Sequence, residues 1–121
     1  MKLKSIDAPS LQRRLEAGEA LLIDVREAHE YAREHIEGAR LAPLSRFQLE
    51  DFSAHRGQTA VFYCHSGTRT KFSAGLLLSK GFRDAYELSG GILAWKAAGL
   101  PTQPRRQDSG GSERRRFGWL F

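Results

Sequence analysis

An α/β fold, with a mostly parallel central sheet flanked by helices, is what this sequence predicts. Two observations carry the expectation. Short apolar, β-prone runs alternate with segments of helical spacing from Ile6 to Pro101, the pattern of repeated strand–helix units. The residues with chemistry to offer, Asp24, Arg26 and Cys64, each fall at the end of such a run, where parallel sheets carry their ligand sites.

The elements follow in order. Asp7-Ala8-Pro9-Ser10 opens a helix, with Asp7 as cap and Pro9 tolerated in the first turn; Leu11 and Leu15 share a face, and Gly18 stops it. Leu21-Leu22-Ile23 is a continuous apolar run, as expected of a strand buried on both faces. Ala28 to Glu34 predicts a short charged helix, His35 to Ala39 a turn, and Ala39 to Leu41 a second short strand. Pro43 to Phe52 is loosely helical, with Leu44, Phe47, Leu49 and Phe52 as its apolar positions. Ala60 to Tyr63 is the strand before the cysteine. Arg69 to Lys80 predicts the longest helix, with Phe72, Leu76 and Leu77 on one stripe and Gly81 as its stop. Ala85 to Leu88 is a further strand, Gly90-Gly91 a turn, and Ile92 to Ala98 a helix closed by Gly99-Leu100-Pro101. No internal repeat is present.

At 121 residues and 40% hydrophobic content the chain suits one domain, expected over residues 1–104, followed by a basic and aromatic tail over 105–121. The net charge of +5 is unevenly placed. Residues 1–104 hold 14 Lys and Arg against 12 acids, and residues 105–121 hold five Arg against two acids. The basic balance is largely a property of the tail, so nucleic acid is not an expected partner of the folded body. One cysteine excludes an intramolecular disulfide, a Cys-x-x-Cys redox pair and a cysteine-rich zinc site. The first residues, Met1 to Asp7, contain no apolar leader, and no run approaches the ~18 apolar residues of a membrane span. A cytoplasmic protein working in a reducing compartment is the expectation, with no membrane association.

That one cysteine carries the functional signal. Ala60-Val61-Phe62-Tyr63 feeds Cys64, and His65-Ser66-Gly67-Thr68-Arg69-Thr70 follows into a helical pattern. A lone cysteine at a strand end is ordinarily a small buried hydrophobe. A core cysteine has no need of a polar, Gly-containing loop with an Arg beside it. Successive backbone N–H groups in a tight loop entering a helix form an anion-binding concavity, and a thiol set there beside Arg69 is expected to ionise readily. The sequence therefore points to a thiolate that handles an anionic or sulfur-bearing substrate.

With these residues in view the chain resembles the single-domain rhodaneses, the thiosulfate sulfurtransferase family, over about Ile6 to Pro101. Four segments carry the resemblance: Leu22-Ile23-Asp24-Val25-Arg26, the turn Glu34-His35-Ile36-Glu37-Gly38-Ala39, the loop Tyr63 to Thr70, and Leu88-Ser89-Gly90-Gly91 with Trp95. The resemblance implies a rhodanese-like three-layer sandwich. It also implies a double displacement, in which Cys64 takes a sulfane sulfur from thiosulfate or another persulfide donor and passes it to cyanide, a thiol or a protein. No metal or organic cofactor is implied.

In this scheme Cys64 is the catalytic residue, and His65, Ser66, Gly67, Thr68, Arg69 and Thr70 bind substrate. Arg69 and the loop N–H groups would hold the thiosulfate oxygens and then the persulfide, and Ser66 and Thr68 would add hydroxyl donors. His65 stands where the family often carries a basic residue. Cationic it would favour thiosulfate, so turnover is expected to weaken as pH rises through its titration; the plain alternative is that it faces solvent. Asp24 is expected to brace the loop backbone, and Arg26 to line the pocket mouth or pair with a surface carboxylate. His35 is expected to brace its turn, His29 and His55 to lie on the surface, and Trp95 with Ile92 to form core or pocket wall. The four His have no partner at ligand spacing, so no metal site is expected.

Two other readings stand beside this one. A cysteine phosphatase also sets a thiolate in an N–H cradle with an Arg, but its loop is one residue longer than the four residues between Cys64 and Arg69. A rhodanese-like sulfur-relay or regulatory binding module, with little thiosulfate activity, keeps the loop for another donor. The tail, with Arg105 to Ser112 as a linker and Arg114 to Phe121 as its basic and aromatic end, is expected to be dispensable for sulfur transfer.

Overall fold

A computed structural model of the chain describes residues 2–104. The expected tail, 105–121, lies outside the described residues. Five strands form one sheet in the order β1-β5-β4-β2-β3: β1 Lys4–Ile6, β2 Leu21–Asp24, β3 Arg40–Leu41, β4 Thr59–Tyr63 and β5 Asp84–Leu88. Every pairing within it is parallel. The helices are α1 Ala8–Glu16, α2 Ala28–Arg33, α3 Thr68–Phe72, α4 Ala74–Leu78 and α5 Gly91–Ala97.

The two-residue alternation of strands divides the core into two layers of packing. On one face Leu22, Val61, Tyr63 and Leu88 meet Leu11 of α1 and Ile92 and Trp95 of α5. On the other, Ile23, Phe62 and Ala85 meet Phe47, Phe52, Leu77 and Phe82, and Cys64 belongs to this side. The result is the expected three-layer α/β sandwich. α1 begins as its residues dictate: the Asp7 carboxylate accepts the Ser10 N–H at 2.9 Å, and Leu11 is buried while Leu15 packs at the margin.

Two expectations are corrected, and one strand, β1, is added to them. Residues 69–80 do not form one helix: α3 and α4 are separated at Ser73, which leaves helical geometry at φ −103°, ψ 15°. The stripe read across that break dissolves, because Phe72 ends α3 pointing outward, 86% exposed, while Leu77 is fully buried. The segment after Pro43 is a 3₁₀ turn over Leu44–Leu49 with a kink at Arg46, so Phe47 and Phe52 are core residues and Leu49 is 82% exposed. The edge strand β1 has no periodic signal in three residues; it exists because Lys4, Ser5 and Ile6 pair with Tyr86, Glu87 and Leu88.

Candidate active site

Cys64 follows β4, the central strand, and faces the α3–α4 side. The loop after it is shaped by two glycines. Gly67 takes φ 98°, a conformation that favours glycine, and so turns its N–H back onto the Cys64 Sγ at 3.1 Å. Gly91 lies against the loop from the other side. The Ile92 and Leu93 N–H groups donate to the carbonyls of Cys64 and His65 at 3.0 and 3.1 Å. A Cβ on Gly91 would sit 2.6 Å from the Cys64 carbonyl oxygen and closer still to that of His65. The Gly90-Gly91 segment is therefore the clamp that holds the cysteine loop.

The sulfur itself is buried, 1% exposed. At the next residue, His65, opens a pocket of about 310 Å³, walled by Arg26, Glu30 and Arg33 from the α2 side, His65 from the loop, Arg69 from α3, and Leu93 and Lys96 from α5. A larger cleft of about 410 Å³, around Arg14, Thr59 and Arg83 at the opposite ends of the strands, contains none of the expected site residues.

Three cations of this pocket, Arg26, Arg69 and Lys96, are held by carboxylates. Arg69 forks onto Glu30, Nη1 to Oε1 at 2.8 Å and Nη2 to Oε2 at 2.9 Å. Its side-chain hydrogen bonds hold Glu30 down at about 2 and, with the carboxylate's charge, raise Arg69 above its ordinary value. Arg69 thus braces the loop against α2 while lining the pocket, and its two terminal nitrogens are engaged by protein. Arg26 is paired with Asp24, Nε to Oδ1 at 3.0 Å and Nη2 to Oδ2 at 2.8 Å, and also donates to the Glu34 carbonyl at 2.6 Å. Burial opposes the Arg26 charge, and Asp24 outweighs it, so the guanidinium stays above its usual value. The same Asp24 carboxylate accepts the Arg26 backbone N–H at 2.9 Å, so it braces its own turn after β2. Arg26 therefore does line the pocket, but its carboxylate partner is buried rather than on the surface. Lys96 meets Glu34 at 2.8 Å.

The remaining expected residues separate. His65 is exposed on the pocket wall. Ser66 and Thr68 are exposed, their hydroxyls 3.4 Å from one another, and neither lines the pocket. Thr70 is buried behind the sulfur, its hydroxyl 3.8 Å from Sγ and donating to the Gly67 carbonyl at 2.9 Å. His35 stacks on Tyr31 with ring centroids 3.8 Å apart and bonds its carbonyl, bracing the turn. His29 is exposed and His55 half-buried. Tyr63 is fully buried and accepts the Ile36 N–H at 3.1 Å; burial and the neighbouring Asp24 push its phenol well up. Among the described residues no cluster of metal-ligating side chains is present, and no helix is long and apolar enough to cross a membrane.

Sequence reasoning missed Glu30, because nothing local marks a contact across 39 positions. It also missed Glu87, for which a signal did exist. Two-residue alternation puts it on the face of Ala85, so a carboxylate stood at a core position of β5.

An all-parallel α/β sandwich with a cysteine loop clamped by a Gly-Gly turn defines the class, and comparison with known proteins agrees. The family model described as the rhodanese-like domain matches residues 7–98. The chain belongs to the rhodanese-like domain family. An uncharacterized protein of Synechocystis sp. is 40% identical over 98 residues, which are 81% of this chain and 55% of that protein, so the chain spans about half of that relative's length. A sulfurtransferase of Allochromatium vinosum is 32% identical over 100 residues, 82% of this chain and 94% of that protein. The solution structure of a rhodanese-like domain from Anabaena sp. superposes with a TM-score of 0.74 at 32% identity, covering 95% of this chain and 91% of that one.

Proposed function

We propose that the protein is a sulfurtransferase that carries a sulfane sulfur on Cys64. The observation that carries this reading is the Gly67 N–H aimed at Sγ at 3.1 Å, in a loop whose His65 lines a pocket with Arg26, Arg33, Arg69 and Lys96. A fixed backbone donor stabilises an anion at that sulfur without reorganisation. In the first step the Cys64 thiolate attacks the outer sulfur of thiosulfate. The S–S bond to the sulfonate breaks, sulfite leaves with the electron pair, and a Cys64 persulfide anion remains. In the second, a nucleophile such as cyanide takes the outer sulfur as thiocyanate, and the thiolate returns. Arg33 is the pocket cation without a carboxylate partner among the described residues, so Arg33, with the His65 ring that also lines the pocket, is best able to meet the sulfonate oxygens.

A second reading has its own support. Cys64 is 1% exposed, and Arg26, Arg69 and Lys96 are each engaged by a carboxylate. That arrangement fits a relay or regulatory module that accepts sulfur from a protein persulfide and turns thiosulfate over slowly.

Intact-protein mass tests both. After thiosulfate, wild type is expected to gain about 32 Da, one sulfur, removed by cyanide, and Cys64→Ser to gain nothing. Absence of the adduct with thiosulfate and its presence with a protein persulfide would select the relay. Absence with both would overturn the proposal.

A further inference from the structure

Behind the cysteine loop lies a buried carboxylate that the sulfur-transfer scheme does not use. Glu87 on β5 is 2% exposed and shares the sheet face of Cys64. Burying a carboxylate is costly unless it is paired and bonded. Glu87 is both: it accepts Ser5 Oγ at 2.7 Å and Lys71 Nζ at 3.0 Å. Its other oxygen, Oε1, lies 3.4 Å from Thr70 Oγ1, and that hydroxyl is in turn 3.8 Å from Cys64 Sγ.

We infer that Glu87 is a positioning residue that governs the charge state of the Cys64 sulfur through the Thr70 hydroxyl. The inference rests on the reading of Cys64 as the sulfur carrier. A hydroxyl has one proton to donate. Thr70 has three acceptors in reach: the Gly67 carbonyl, the Glu87 carboxylate and Sγ. While the proton points to Gly67 or Glu87, an oxygen lone pair faces the sulfur, which suits a thiol and opposes an anion. To stabilise a thiolate or persulfide anion the proton must turn to Sγ. Glu87 adds its charge to the pull of the Gly67 carbonyl and so raises the cost of that turn, and Lys71 offsets the carboxylate's charge. The loop thus has an opposed pair of controls: the Gly67 N–H favours the sulfur anion and Glu87 restrains it.

Other titratable and charged groups stand on the elements around the loop: His65 within it, Arg69 with Glu30, Lys71 on α3, Asp24 with Arg26 after β2, and Lys96 on α5. The experiment therefore isolates the hydroxyl. Thiolate absorbance in the ultraviolet is titrated against pH on the full chain with no sulfur donor, taking the difference from Cys64→Ser; the single cysteine makes the signal specific. Glu87→Gln is expected to raise the thiolate-to-thiol ratio at neutral pH roughly three- to ten-fold, the scale of one charge removed beyond a single hydroxyl. Lys71→Met, at a side chain 64% exposed, is expected to lower it. In a Thr70→Val background both shifts should fall to less than half, and Thr70→Ser should restore them. The inference is overturned by an unchanged ratio in folded Glu87→Gln, or in Lys71→Met should Glu87→Gln not fold, and equally by shifts of full size in Thr70→Val. The titration uses no donor, so a wild type that titrates as expected yet takes up no sulfur would overturn the sulfur-carrier reading and leave Glu87's control of the sulfur standing.

Discussion

Arg69 and Glu30 close a two-bonded fork, 2.8 and 2.9 Å, between the helix that follows the cysteine and the short helix α2. The Arg expected to hold substrate is thereby also the strut that ties the cysteine loop to the far side of the pocket. Planar guanidinium and planar carboxylate match in this geometry, which makes the contact directional as well as charged.

Its pH signature follows from Glu30. The folded carboxyl is held at about 2 against an ordinary value of 4.5. A depressed folded value means the fork contributes stability that is fully present above pH 4.5 and lost as pH falls from 4.5 towards 2. Wild type is expected to melt above Glu30→Gln by a constant margin above pH 4.5, with the margin shrinking below it. Melting curves over that acid range check this.

The Asp24–Arg26 pair lies in the interior, so removing one partner strands the other. Asp24→Ala leaves a buried guanidinium and an unbonded Arg26 N–H, and is expected to cost roughly 3–5 kcal/mol. Urea unfolding of the variant against wild type measures it. A cost under about 1 kcal/mol would show that water or Glu34 replaces the carboxylate.

Gly91→Ala places a methyl group against the carbonyls of Cys64 and His65, at a backbone φ of 62° that already disfavours side chains. The expected outcome is a loss of about 2 kcal/mol or more together with a large fall in sulfur loading on Cys64. Urea unfolding and the mass assay read the two effects separately.

Phe72 and Leu77 make a contrasting pair. Phe72→Ser is expected to change stability by less than about 0.5 kcal/mol, whereas Leu77→Ala is expected to cost roughly 2–5 kcal/mol. Equal effects would mean that Phe72 is packed against the protein rather than exposed.

Much of this was legible along the chain. The apolar run Leu21-Leu22-Ile23, buried from Leu22 on, the cap at Asp7 and the run into Cys64 are local patterns that the fold follows. The 69–80 segment misled because its apolar spacing was read over a break. Ser73 is unremarkable in sequence, and only packing against the sheet shows that the chain turns there. The edge strand β1 was unreadable for a related reason: three residues carry no period, and pairing with β5 alone makes them a strand.

By itself, the sequence determined the alternation of strand and helix, the position of the one thiol at a strand end, and the glycines that its loop requires. These are local properties, set by side-chain period and allowed backbone angles. The partners of the charges were decided only by the tertiary structure: Glu30 for Arg69, Asp24 for Arg26, and Lys71 with Thr70 for Glu87. Whether a cation meets a substrate or a carboxylate depends on what the fold brings within about 3 Å of it, and no spacing along the chain encodes that distance.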